Sequence, residues 1–128
     1  MNKRIIITAA VFGALAVAFG AFGAHLLKKI IDADHLATWQ TGVQYHFLHT
    51  FALLFLTTFA RYKNNLINFS SYCFTFGIIL FSGSLYLLSL KDFFGWNHVG
   101  YLGPITPIGG MLFILGWLSL LLAAIRDK

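Results

Sequence analysis

Three of the five histidines lie in uncharged stretches at predicted membrane depth, which makes them the first candidates for chemistry. His25 closes one such stretch, and His46 and His49 lie with Tyr45 in the next. At about 100° per residue on a helix, Tyr45, His46 and His49 fall within an arc of about 100°. We therefore expect the three histidines to meet near one end of the molecule.

Three interpretations of this cluster compete. The histidines could be neutral and join two helices by hydrogen bonds, they could contact a lipid headgroup or another amphipathic ligand, or they could ligate a metal or haem. Zinc usually takes three or four protein ligands, and no acid or thiolate adjoins the histidines in the sequence. Haem would need two axial ligands across a pocket. We favour hydrogen bonding and expect no metal and no cofactor, with metal or haem binding as an alternative.

The sequence lacks the residue sets of familiar enzymes and exporters. It contains no glutamate, and its four aspartates lie at predicted helix ends or loops. A proton-coupled exporter of this size needs a carboxylate within the membrane. Ser82-Gly83-Ser84 lacks the embedded acid that would orient a catalytic histidine, and no nucleophile-elbow, Walker or zinc-protease motif occurs. We expect a protein that is not an enzyme.

The composition predicts an integral membrane protein. The 128 residues include nine basic and four acidic side chains, with 59% hydrophobic and 10% charged residues. A small soluble domain cannot bury so much apolar surface, which excludes an ordinary soluble enzyme. No basic face is large enough for nucleic acid, and no soluble substrate is indicated.

The charged residues leave four uncharged stretches of 23, 26, 27 and 33 residues: Ile5–Leu27, His35–Ala60, Asn64–Leu90 and Phe93–Ile125. A membrane crossing takes about 20 apolar residues in a helix. We predict an all-α, single-domain protein over residues 1–128, a four-helix antiparallel up-down bundle. The predicted segments are helices at about 5–24, 43–60, 66–90 and 107–125, an interfacial segment at 26–42 and an aromatic outer loop at 91–106.

The basic residues predict the orientation. Six of them fall on the side that carries both termini and the second loop, and three fall on the other side. The positive-inside rule then places both termini in the cytoplasm.

Local signals predict caps and packing faces. Asp34 is expected to cap helix two and Thr106 to cap helix four, with Pro107 in its first turn, and Trp39 should lie in the membrane interface. Small residues should let helices pack closely. They are Gly13, Ala16, Gly20 and Ala24 in helix one, Gly83 in helix three, and Gly109 and Gly116 in helix four.

Several motifs together resemble one family. They are Gly20-Ala-Phe-Gly-Ala-His25, Tyr45-x-x-x-His49, Phe81-Ser-Gly-Ser-Leu-Tyr86, Ile105-Thr-Pro-Ile-Gly-Gly110 and Gly116-Trp117. In this order they are similar to the bacterial YgdD-like inner-membrane proteins, a family that includes a staphylococcal membrane-stabilising protein and small eukaryotic transmembrane relatives.

The resemblance implies a four-helix protein of the cytoplasmic membrane, linked to membrane integrity and homeostasis and without an established activity. It supplies no catalytic residue. It directs attention to His25, Tyr45, His49, Ser82, Ser84, Tyr86, Thr106 and Pro107. Our candidate ligand-binding residues are the first seven of these together with His46. The aromatic third loop looks like an elaboration of the family pattern.

The sequence thus predicts a non-enzymatic, multi-pass protein of the bacterial cytoplasmic membrane. Its expected partners are membrane lipids or partner proteins, with a homo-oligomer as a further arrangement. The alternative is a channel or transporter for a small solute or ion, with a His–Tyr–Ser cluster along its path. That alternative predicts a water-accessible cavity that reaches His49.

Overall fold

The computed structural model describes residues 2–59, 65–96 and 99–127. These residues form four helices: α1 (Lys3–Ile30), α2 (Ala33–Leu56), α3 (Asn65–Phe94) and α4 (Leu102–Arg126). The all-helical prediction is confirmed. Three of the helices, α1, α3 and α4, are long and apolar enough to cross a membrane. The predicted end of helix two at Ala60 and most of the second loop lie outside the described residues, as does His98.

The turn between α1 and α2 is tighter than the sequence predicted. Ile31 is extended, with φ −123° and ψ 158°, and the carboxylate of Asp32 accepts the backbone N–H of His35 over 2.8 Å. The helix cap is therefore Asp32, and the prediction of Asp34 was wrong. Residues 26–42 belong to these two helices apart from the turn at Ile31 and Asp32, and their position in the membrane interface stays a prediction.

The third connection is also shorter than predicted. Helix α3 continues to Phe94 and ends at Gly95, whose φ of 66° is the left-handed conformation common just beyond a helix. Helix α4 already begins at Leu102, so Pro107 lies inside it. The expected cap at Thr106 was wrong, because the helix starts a turn earlier with Pro104 in its first turn.

Two short π-helical segments interrupt the α-helical geometry, Gly23–Leu27 in α1 and Ile78–Ser82 in α3. Such segments add one residue to a turn and are frequent at functional sites. The first places Gly23 against the ring of Trp39, where a Cβ atom would come within 2.7 Å of the indole. The second carries Phe81 towards α4.

The helices pack in chain order, α1 on α2, α2 on α3 and α3 on α4. Helices α3 and α4 approach most closely at three glycines. A Cβ atom would come within 2.5 Å of the Phe113 ring at Gly77 and within 2.6 Å of the Phe74 ring at Gly116, and at Gly109 it would overlap the backbone of Phe81. The close approach gives a core without charged groups, in which Phe74 and Phe113 are buried.

Candidate functional site

His49 joins α2 to α4 in a single protonation state. Its Nδ1 lies 2.8 Å from the carbonyl oxygen of Tyr45, which can only accept, and its Nε2 accepts the indole N–H of Trp117 over 3.0 Å. The ring therefore carries its proton on Nδ1 and is neutral. It also stacks on Phe113, with centroids 3.6 Å apart and planes 9° apart. His49 is 4% exposed, and both of its nitrogens are already bonded.

His46 joins α2 to α3. Its Nδ1 lies 2.8 Å from the hydroxyl of Tyr86, and both side chains are buried. Its Nε2 has no hydrogen-bond partner within the described part of the chain, although it faces the backbone of Phe12 in α1. The rings of Phe12 and Phe19 close over this side of the imidazole. The pair of His46 and Tyr86 is therefore enclosed by α1, α2 and α3.

His25 does not join this pair. It lies on the exposed side of the π-helical segment of α1, whereas His46 and His49 are buried on α2. The two buried histidines also bond to different helices. The structure therefore shows two separate histidine contacts between helices and one histidine at the surface, rather than one cluster of three.

The predicted hydroxyl residues hold helices together. Ser82 donates to the carbonyl oxygen of Gly42 over 2.7 Å, which ties α3 to α2. The hydroxyls of Ser84 and Thr106 lie 2.5 Å apart between α3 and α4, so one donates to the other, and the hydroxyl that accepts is free to donate to a backbone carbonyl of its own helix. Sequence reasoning missed Ser70, which donates to the Gly116 carbonyl oxygen. The one feature of the sequence that could have indicated Ser70 is that its hydroxyl lies in an apolar stretch.

The predicted small residues of α1 divide between two faces. Ala16 is fully buried, and Gly13 and Gly20 lie against Thr50 and Val43 of α2. Ala24 is exposed. The predicted Gly83 of α3 meets no neighbour within 4 Å of a built Cβ atom, so it lines an open surface.

Two lateral grooves, each of about 460 Å³, flank the π-helical segment of α3. The aromatic groove lies between α2 and α4 and is lined by Tyr45, His49, Phe81, Gly110, Phe113 and Trp117, with aliphatic residues of α4. The aliphatic groove lies on the other side and is lined by Ile79, Leu80, Gly83, Leu87, Leu102 and Ile105, with Ser84 and two aromatic rings.

Tyr45 is the polar residue of the aromatic groove that remains available. Its side chain is 38% exposed, and its hydroxyl has no hydrogen-bond partner among the residues that the structure describes. Its ring lies within 10° of the plane of His49 and within 17° of Phe113. The groove therefore offers a wall of nearly parallel rings and one free hydroxyl.

The sequence prediction missed a group of three at the other end of α2. His35 Nδ1 lies 2.7 Å from Asp32, and its Nε2 lies 3.1 Å from Asp92 at the end of α3. A neutral imidazole has one N–H, so a protonated His35 is needed to donate to both carboxylates. Hydrogen bonds from the backbone N–H and the side chain of His35 hold the pKa of Asp32 below its usual value.

The side chain of Trp39, which the sequence placed in the membrane interface, is buried within the bundle, and its depth in the membrane stays a prediction. It is 4% exposed and donates its indole N–H to the Phe19 carbonyl oxygen over 2.8 Å.

Metal binding was one interpretation of the histidines. Within residues 2–59, 65–96 and 99–127, no group of three histidine, cysteine or acidic side chains is positioned to hold a metal ion. His46 and His49 instead bond to neighbouring helices.

A family model described as "Protein of unknown function (DUF423)" matches residues 19–110, the region that holds both buried histidines and the aliphatic groove. The chain belongs to this family. The membrane protein YwdK of Bacillus subtilis (strain 168), of the UPF0382 group, is 39% identical over 97% of this chain and 98% of its own length. The inner membrane protein YgdD of Escherichia coli (strain K12) is 40% identical over 99% of this chain and 93% of its own length.

Membership of DUF423 confirms the resemblance to the YgdD-like proteins. A UPF0382 membrane protein of Staphylococcus epidermidis (strain ATCC 12228 / FDA PCI 1200) is 38% identical over 97% of each chain. No solved structure matches the chain. The family and the three apolar helices together identify a multi-pass protein of the bacterial cytoplasmic membrane.

Proposed function

We propose that this DUF423 protein is a non-enzymatic membrane protein with four crossings and cytoplasmic termini. It supports membrane integrity by holding lipid chains in its lateral grooves. The observation that carries the proposal is the aromatic groove, an open cleft of about 460 Å³ in the side of the bundle. Apolar and aromatic walls with few polar groups are typical of sites for apolar ligands.

The polarity of α2 is consistent with a fourth crossing. The helix has 24 residues, which give it a length of about 36 Å. The residues that lower its hydropathy include His46, His49 and Thr50, which are buried against the other helices, whereas Leu48 and Phe51 face outward. Polar side chains inside a membrane usually face the bundle interior in this way.

The hydroxyls at membrane depth favour a structural bundle over an enzyme. Ser70, Ser82 and Ser119 each donate to a carbonyl oxygen of a neighbouring helix over 2.7 Å. Their hydrogen atoms are therefore committed to holding the bundle together. None of the three is left as a nucleophile or as a relay for protons.

Native mass spectrometry of the protein in mild detergent tests lipid retention. We expect bound phospholipid, and we expect Gly110→Leu, which fills the aromatic groove, to lower the retained fraction. A Cβ atom at Gly110 would lie 3.7 Å from the Phe81 ring, so the substitution fits locally. Gly83→Leu is the matched variant, because it fills the aliphatic groove in the same way. Absence of retained lipid from the unmodified protein would refute the lipid-binding role.

Transport of a small solute or ion is the second candidate, because the aromatic groove is lined by His49, the residue that this alternative places along its path. The groove is bordered by exposed side chains of α4, including Met111 and Ile114. Flux into proteoliposomes that is the same for the unmodified protein and His49→Ala would remove the histidine from any conducting path.

A further inference from the structure

The two glutamines of the chain lie on the outward face of α2. Gln40 and Gln44 are four residues apart, so they share one side of the helix. Both side chains are exposed, and neither has a hydrogen-bond partner in the part of the chain that the structure describes. Below them the same face becomes apolar, with Leu48 52% and Phe51 63% exposed.

Packing against α1 gives the depth of Gln44, and Gln40, one turn earlier in α2, lies about 6 Å nearer the outer edge. Gly20 contacts Val43, the residue next to Gln44, with 3.4 Å between a built Cβ atom and the Val43 side chain. Gly20 lies 15 residues beyond Ile5, where the uncharged stretch of α1 begins, which is about 22 Å along the helix. In a hydrocarbon core of about 30 Å, Gln44 then lies about 8 Å below the outer edge.

A free carboxamide at this depth is costly, because lipid offers no hydrogen-bond partner and each unmatched polar group carries a desolvation penalty. A carboxamide both donates and accepts, so two glutamines from identical helices can satisfy each other. The face around them allows close approach, since Ala37 and Thr41 are small, exposed and four residues apart. The hydroxyl of Thr41 is already bonded to the Ala37 carbonyl oxygen.

We propose that Gln40 and Gln44 form the centre of a two-fold interface through which α2 of one molecule binds α2 of a second copy. In such an interface the same patch serves both subunits, so each carboxamide faces its equivalent or its neighbour one turn away. The inference rests on the fourth crossing by α2, because glutamines in water need no partner.

Disulfide crosslinking in native membranes tests the position of the interface. In a Cys73→Ala background, Gln44→Cys should form a covalent dimer under mild oxidation. Val17→Cys is the matched control, since Val17 is 60% exposed on α1 at a similar depth and should stay monomeric. Equal crosslinking at both positions, or none at position 44, would overturn the proposal.

The energetic contribution of the carboxamides is tested by dilution in lipid vesicles, with dimerisation followed by energy transfer between labelled copies. Gln40→Leu/Gln44→Leu should raise the dissociation constant about tenfold. Asn68→Leu removes an exposed carboxamide from α3 and should leave the constant unchanged. An unchanged constant for the glutamine double variant would show that these side chains do not carry the interface.

A membrane-impermeant maleimide separates failure of this inference from failure of the fourth crossing. Were α2 outside the membrane, Gln44→Cys would react with the reagent added to intact cells. Protection of that cysteine together with a monomeric protein would refute the interface and leave the crossing intact. We expect Gln44→Cys to be protected from the reagent and also to form the crosslinked dimer.

Discussion

The indole N–H of Trp117 donates to Nε2 of His49 over 3.0 Å and thereby joins α4 to α2 across the wall of the aromatic groove. The same histidine donates from Nδ1 to Tyr45, so the bond from Trp117 needs the neutral ring. A protonated His49 would place two N–H groups opposite each other. The contact therefore fixes the charge of the groove as well as its shape.

Trp117→Phe should destabilise the bundle, because the buried Nε2 of His49 loses its donor. We expect a loss of about 1 kcal/mol in the free energy of unfolding, measured by reversible unfolding in mixed micelles of mild detergent and dodecyl sulfate. Trp96→Phe is the control, since its ring stacks on Phe94 near the end of α3. Equal losses in both variants would show that the hydrogen bond contributes nothing specific.

Tyr86→Phe should destabilise more strongly than Tyr101→Phe. Removal of the Tyr86 hydroxyl leaves both nitrogens of buried His46 without a partner among the described residues, at a cost of about 1–3 kcal/mol. Tyr101 is 61% exposed. The double variant His46→Leu/Tyr86→Phe should recover part of the loss, because no unpaired polar atom remains, and a further loss there would contradict this account.

Gly109→Ala and Gly110→Ala are neighbouring substitutions with opposite expectations. At Gly109 a Cβ atom would lie 2.8 Å from the Cα atom of Phe81, whereas at Gly110 the nearest atom is Cδ2 on the edge of the Phe81 ring, at 3.7 Å. The first should push α3 and α4 apart and cost about 1–3 kcal/mol. The second should lower the melting temperature little, and similar melting temperatures would refute the close contact.

Acidification should loosen the first turn of α2. The bonded carboxylate of Asp32 has a pKa below its usual value, so its stabilisation is present above the ordinary aspartate pKa of about 3.9. It is lost as the pH falls through the lower pKa of the folded state. The His35 amide proton, followed by NMR in micelles, should report this change. Asp32→Asn can still cap the helix, and it should remove the transition in that signal.

Labelling on the two sides of α2 should establish the fourth crossing. In a Cys73→Ala background, Lys29→Cys should react with an impermeant maleimide added to intact cells, and Thr58→Cys should react only after the membrane is opened. Both positions are exposed in the bundle. Labelling of both from outside would mean that α2 does not cross.

The number of helices and several of the residues at helix contacts could be predicted from the sequence. The four charge-free stretches were enough to predict the four helices, because a membrane crossing depends on the length and polarity of a single segment. Gly109 and Gly116 could be identified from their spacing. Helix ends were less accurate, since Asp32 and Asp34 are both good caps and only packing around the turn selects one.

The partners of the polar side chains were decided only by the tertiary structure. The spacing of Tyr45, His46 and His49 placed them on one helix, but whether they meet His25 or instead bond Tyr86 and Trp117 depends on how four helices are rotated about their axes. That rotation is determined by glycine contacts such as Gly109 with Phe81, which bring together residues far apart in the chain. A sequence states which groups need partners, and the packed bundle decides which groups supply them.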